Sequence, residues 1–166
     1  MMILHVGDTA PEFSLPDQDE TMHSLTAYKG GWVVLYFYPK ALTPGCTTQA
    51  QHLRDNIKLY TQYDATVIGV SGDAPDKLRK FSEKHDLPFV LLGDTDHTML
   101  EKYGMWQPKK MFGKEYFGVP RATFIINPEG QIAHIINKAN PNTHHQDVLA
   151  WLKENAHEAS AESENH

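Results

Sequence analysis

Two apolar runs, WVVLYFYP at residues 32–39 and ATVIGVS at residues 65–71, flank a helix-length segment, and that arrangement closes off most folds. Both runs are continuous in β-branched and aromatic residues, the pattern of strands buried on both faces. Pro39 ends the first run, because proline has no N–H to give a ladder. Between the runs, Leu53, Ile57 and Tyr60 recur at helical spacing, which predicts a helix from near Pro44 to about Tyr63. Strand, helix and strand within about forty residues make a right-handed βαβ unit with parallel strands.

The alternation continues beyond the second run. Asp73 to Pro75 can start a helix that reaches about His85, with Pro75 in its first turn. PFVLLGD reads as a short strand, and Thr95 to Tyr103 as a short helix. ATFIINPEGQIAHIIN is the clearest hairpin, with Asn127-Pro128-Glu129-Gly130 placing proline second and glycine fourth in a type I turn. Asn142 is placed to cap a last helix running through Trp151 to about Asn155. Two parallel connections, an antiparallel hairpin and a closing helix give an α/β chain with a thioredoxin-like fold, a central mixed sheet flanked by helices. The residues before Trp32, with Pro11, Phe13 and Leu15, form an added N-terminal element. One domain is expected over residues 1–155. From Ala156 onward, AHEASAESENH is small, polar and acidic, the composition of a disordered tail.

Composition narrows the function. The hydrophobic and charged fractions, 40% and 22%, are those of a soluble globular protein. A net charge of −6 argues against nucleic acid as a partner, which needs clustered Lys and Arg. No stretch approaches the ~18 apolar residues of a membrane helix. MMILHVGDTAPEF has no basic region ahead of its short apolar piece, so it does not read as a secretory signal. There is a single cysteine, which excludes intramolecular disulfides and multi-cysteine metal sites by counting and points to the cytoplasm. The ten histidines are scattered, and the adjacent His144 and His145 would point apart on a helix, so neither metal nor cofactor is expected. Lys109, Lys110 and Lys114 read as a solvated loop, and Trp32, Trp106 and Trp151 as packing residues. Pro120 follows the trans default.

The lone cysteine, Cys46, follows a Thr-Pro-Gly loop and enters the first turn of the expected helix. Free N–H groups and the positive end of the helix dipole meet there, and thiol pKa values fall at such positions. A buried inert cysteine is the competing reading. Its neighbours Gly45, Thr47 and Thr48 are not apolar, as a packing cysteine would prefer.

YFYPKALTPGCTTQAQHLRD resembles the active-site segment of peroxiredoxins, whose signature is Pro, three residues, Thr, two residues, Cys, met here by Pro39, Thr43 and Cys46. TPGCT followed by LRD, the later run YGMWQPKKMFGKEYFGVPRATFIINPEGQI and the opening GDTAPEFSLPDQD are similar to the bacterioferritin comigratory protein, or peroxiredoxin Q, branch. The match runs from about residue 5 to about residue 155. The resemblance implies a thiol-dependent peroxidase that reduces hydrogen peroxide and organic hydroperoxides. Cys46 would be the peroxidatic cysteine, oxidised to a sulfenic acid. Thr43 would orient the peroxide, Pro39 would shield the thiolate, and Arg121 would stabilise the anion and the departing oxygen. The bland alternatives are a loop hydroxyl bonding its own backbone for Thr43, a strand stop for Pro39 and a surface salt bridge for Arg121.

The chain departs from the branch at one place. Many members carry a resolving cysteine five residues after the peroxidatic one, and here that residue is Gln51. No other cysteine exists to replace it. The implied mechanism is therefore of the one-cysteine type, with an external thiol as reductant: thioredoxin, a glutaredoxin, glutathione or another copy of the chain. A monomer or weak homodimer is expected. The missing cysteine also keeps open a peroxide-sensing or regulatory module without turnover, and a thioredoxin-fold binding domain that has lost catalysis.

Overall fold

The computed structural model describes residues 3–156. At its centre is a five-stranded sheet. Its strands are β3 (Trp32–Phe37), β4 (Ala65–Ser71), β5 (Val90–Gly93), β8 (Ala122–Ile126) and β9 (Ile132–Ile136), in the spatial order β5-β4-β3-β8-β9. β3 pairs parallel with β4, and β4 with β5, while β8 lies antiparallel to both β3 and β9. This is the mixed, thioredoxin-like sheet that the sequence predicts, with the first apolar run as its middle strand.

Both faces of β3 are buried because its side chains alternate between two cores. Val34, Tyr36 and Tyr38 face the helices α1 (Pro44–Asp55), α3 (Pro75–His85) and α5 (His144–Asn155), through Leu53, Leu78, Phe81, Val148 and Leu152. Val33, Leu35 and Phe37 face the other way, against Leu100 of α4 (Thr98–Lys102), Tyr103, Phe124 and Ile126. Each fully buried large side chain contributes about 1.5–3 kcal/mol of transfer free energy. The segment before β3 forms the expected added element, a small hairpin of β1 (Ser14–Pro16) and β2 (Met22–Ser24) followed by a 3-10 turn at Leu25–Tyr28. Between β1 and β2, Gln18 accepts from the Leu91 N–H and donates to the Phe89 carbonyl. Its side chain thus occupies the open edge of β5, where an unpaired strand invites association.

Several boundaries differ from expectation. The helix predicted to reach Tyr63 breaks at Asn56, and a second short helix, α2 (Ile57–Gln62), follows. The Asn56 amide donates to the His52 carbonyl at 2.8 Å, and its backbone leaves helical geometry at φ −113°, ψ 12°. Asparagine interrupts helices in this way because its side chain competes for backbone partners. The last helix begins at His144, not beside Asn142. Asn140 makes the turn instead, its carbonyl accepting from the His144 N–H and its side chain from the Asn142 N–H. Ala156 closes α5 and is buried. The rest of the expected tail, residues 157–166, lies outside the described residues.

The lysine-bearing segment is not a loop. It is a hairpin of β6 (Gln107–Met111) and β7 (Lys114–Gly118), turned through Phe112 at φ +53° and Gly113 at φ +78°. Two-residue hairpin turns require positive φ, a role usually signalled by Asn-Gly, and phenylalanine hid it. The Val119–Pro120 bond is trans.

Candidate active site

The carboxyl end of β3 delivers the chain into a short loop and then into α1. Tyr38 still donates its N–H to Val70 of β4, and Pro39 follows it out of the ladder. The Asp73 carboxylate, beyond the end of β4, accepts from the Ala41 N–H at 2.8 Å and from the Ser71 hydroxyl at 2.8 Å, and it pairs with Lys77 at 3.2 Å. Asp73 therefore ties the loop to the neighbouring strand. Leu42 is held at φ +67°, a left-handed conformation that costs a bulky residue about 1–2 kcal/mol. Such strain survives where the surroundings over-determine it, as beside a functional group.

Thr43 is the N-cap residue of α1, Pro44 the first helical residue, and Cys46 the third. The Thr43 carbonyl accepts the Thr47 N–H, closing the first helical turn. The Thr43 hydroxyl donates to the Lys40 carbonyl at 2.7 Å, which is the local bonding of a loop residue. Cys46 is 2% exposed. No acidic residue occupies the first turn of α1, so no side chain there offsets the positive end of the helix.

Arg121, at the head of β8, comes to the same place from the strand that pairs directly with β3. Its Nη1 lies 3.5 Å from the Cys46 Sγ and donates to the Gln49 Oε1 at 2.7 Å. The approach depends on Gly45: a β-carbon there would sit 3.1 Å from the Arg121 Nη2. Gln49 is fully buried, one helical turn on from Cys46, and it aims the guanidinium. Sequence reasoning passed over Gln49, although its spacing of three from Cys46 on a helix was available as a signal.

The expected site residues thus converge in part. Cys46 and Arg121 are in direct contact. Thr43 and Pro39 flank them on the loop, and Pro39 lines an open cavity of about 370 Å³ with Lys40, Asp73, His97, Trp106 and Lys109. Trp106, expected as a packing residue, stacks on His97 at 3.8 Å and on Phe117 at 6.0 Å, forming an aromatic wall of that cavity. Trp32 and Trp151 do pack, edge to face at 5.5 Å. Gln51 points away, with its amide 3.4 Å from the His85 Nδ1.

The helix-covered core carries other polar groups. Thr123 of β8 meets the His144 Nε2 at 2.6 Å, and burial, reinforced by the charges of His145 and Arg121, pushes His144 down to about 4. Burial pushes Tyr36, Tyr38 and Tyr60 upward, so all three stay neutral phenols. His52 and His145 stack face to face at 4.4 Å, and among the described residues no three His, Cys, Asp or Glu side chains converge as metal ligands. No described helix is long and apolar enough to cross a membrane.

Comparison with known proteins places this geometry. Residues 6–135 match the model of the AhpC/TSA family. The chain is 48% identical over 153 residues to peroxiredoxin Bcp of Escherichia coli, covering 92% of this chain and 98% of that protein. It is 45% identical over 154 residues to peroxiredoxin Bcp of Bacillus subtilis, with the same coverage. Among solved structures, a Xylella fastidiosa PrxQ mutant superposes with a TM-score of 0.87 at 30% identity, covering 92% of this chain and 98% of that one. Xanthomonas campestris bacterioferritin comigratory protein, whose alkyl peroxide reduction has been followed through trapped intermediate and ligand complexes, superposes with a TM-score of 0.83 at 34% identity, covering 87% and 92%.

Proposed function

Because the chain belongs to the AhpC/TSA family and matches its Bcp and peroxiredoxin Q members, it is a thiol-dependent peroxidase, and we propose that Cys46 is the sulfur that carries the reaction. One observation carries the proposal: the only thiol in the chain lies in the first turn of α1 with the Arg121 guanidinium 3.5 Å from its sulfur. The helix end and the guanidinium both place positive charge beside the sulfur, which reacts as the thiolate. That thiolate attacks the terminal oxygen of a hydroperoxide. An S–O bond forms as the O–O bond breaks, the sulfur is oxidised by two electrons, and the departing oxygen takes up a proton to leave as water or an alcohol. Arg121 stabilises the negative charge that moves from sulfur to the leaving oxygen. Pro39 screens the site, and Thr43 serves the peroxide when its hydroxyl turns from the Lys40 carbonyl.

The product on the protein is a sulfenic acid at Cys46. No second cysteine is present to condense with it. One external thiol displaces water to give a mixed disulfide, and a second releases Cys46 and leaves as a disulfide. Thioredoxin, a glutaredoxin and glutathione are the candidate reductants, another copy of the chain is a further thiol source, and a reducing cytoplasm supplies them. A monomer or weak homodimer is sufficient, since the peroxide step needs one chain at a time.

Peroxide consumption by the wild-type chain and by Cys46→Ser, with each reductant in turn, tests the assignment. Wild type is expected to turn over with at least one reductant. Cys46→Ser is expected to be inactive with an unchanged circular dichroism spectrum, because a serine hydroxyl is far less acidic than a thiol. Activity retained by Cys46→Ser overturns the role of Cys46, and rapid oxidation of wild type without turnover marks a sensor instead of an enzyme.

A further inference from the structure

We propose that Lys109 is a positioning residue of this site, clamping the backbone that delivers Arg121 to Cys46. The inference rests on the assignment of Cys46 and Arg121 above. It starts from a contrast within one hairpin. Lys110 and Lys114 are exposed, as lysines on a ribbon usually are, whereas Lys109 is half-buried. Its Nζ donates to the Val119 carbonyl at 2.6 Å. An ammonium donor makes this a charge-assisted bond, stronger than a neutral one.

The position of Val119 gives the bond its consequence. Val119 is buried, and only Pro120 separates it from Arg121. Proline fixes its own φ, so the restraint on the Val119 carbonyl passes to the head of β8 with little slack. The aliphatic stem of Lys109 is fitted to the same purpose. A β-carbon at Gly118 would lie 3.2 Å from the Lys109 Cδ and 3.5 Å from its Cε, so the stem lies on bare backbone. A lysine retained only for solubility would extend its head into water instead of over a glycine.

Charge supports the same reading. Burial lowers the Lys109 pKa, the nearby Arg121 cation lowers it further, and the Cys46 anion raises it. Such an interaction is mutual: if the thiolate favours the ammonium, the ammonium favours the thiolate by the same free energy. Lys109 also lines the open cavity beside Pro39.

Lys109→Met, Lys109→Arg and Arg121→Met, each in the full chain, are compared by stopped-flow oxidation of Cys46 with hydrogen peroxide, by the pH midpoint of the thiolate absorbance, and by thermal melting. Lys109→Met keeps the stem and removes the charge. Oxidation is expected to slow by about tenfold and the midpoint to move to higher pH. Lys109→Arg is expected to recover most of both. A strut that merely supports the hairpin would lower the melting temperature and leave the midpoint in place, and that result overturns the proposal. So does an unchanged rate in Lys109→Met. If Lys109→Met does not fold, Gly118→Ala carries the test, since its methyl group displaces the stem and leaves the charge. Slower oxidation then supports the clamp, and an unchanged rate overturns it. If Arg121→Met changes nothing either, the site assignment itself fails. If only Arg121→Met slows oxidation, this inference alone fails.

Discussion

The two faces of the central sheet are built to different ends. The face carrying Phe37, Leu35, Phe124 and Ile126 is closed by apolar side chains, with Phe124 packed edge-on against Phe37 at 5.7 Å and Tyr103 at 5.3 Å. The helix-covered face has a core of similar size, yet it holds Cys46, Gln49, Thr123, His144 and the hydroxyls of Tyr36 and Tyr38. Five of the six buried side-chain atoms without a hydrogen-bond partner among the described residues belong to this side: the Tyr36 and Tyr38 hydroxyls, Gln49 Nε2, His144 Nδ1 and His145 Nδ1. One face is closed by apolar packing, and the other buries polar groups around Cys46 and the Arg121 guanidinium beside it.

Substitutions should separate the two faces. The largest expected effect on stability is on the apolar face: Phe124→Ala should destabilise by about 3–5 kcal/mol in denaturant melts, while Cys46 oxidation by peroxide stays at the wild-type rate. Arg121→Met should do the converse. Loss of an aligned cation should raise the oxidation barrier by about 3 kcal/mol, roughly a hundredfold in rate, with melting little changed. An equal fall in both quantities for either variant would erase the distinction between the faces.

Acid should weaken the helix-covered face in particular. His144 has its pKa depressed from 6.5 to about 4 by burial, so the unfolded chain binds the proton more readily than the folded one. The neutral histidine's advantage is complete above the unfolded value of 6.5 and is lost as pH falls toward 4. Unfolding free energy should drop by about 2 kcal/mol between about pH 7 and pH 5 from this group. His145, lowered for the same first cause, acts in the same direction, and Asp94, raised by burial, acts in the opposite one. His144→Gln keeps a partner for Thr123 and should flatten the pH dependence; an unaltered slope would exclude His144 as its source.

The smallest effect expected is also the sharpest. Gln49→Leu removes an amide nitrogen with no partner among the described residues but also breaks the 2.7 Å bond from Arg121, so the two terms offset and stability should change little. Arg121 loses the acceptor that aims it, and oxidation should slow by about tenfold. Equal rates in the two proteins would show that Arg121 needs no such guide.

The helix-covered face was also the harder one to read from sequence. The β3 and β4 runs and the β8–β9 turn announce themselves through β-branched residues and a proline–glycine turn, which are local signals. Cys46 stands out as the only cysteine at a helix start, while Arg121 could be assigned only through the family signature. Gln49, Asp73 and Lys109 act through partners 72, 32 and 10 residues away, and no local pattern marks such pairings. The hairpin that carries Lys109 escaped because Phe112 fills a turn position where asparagine or glycine would have given it away.

In the mechanism proposed for Cys46, one buried thiol performs the whole reduction and waits for an external thiol to reset it. Adding one equivalent of hydrogen peroxide, trapping with dimedone and weighing the intact chain and its peptides tests that claim most directly. One dimedone adduct per chain is expected, on the Cys46 peptide, with a helical circular dichroism signal unchanged by oxidation. Residues 46–51 lie within continuous α1, with no disulfide to unwind them. Peroxide consumed while Cys46 stays a free thiol, or loss of the α1 signal as the sulfenic acid forms, would contradict it.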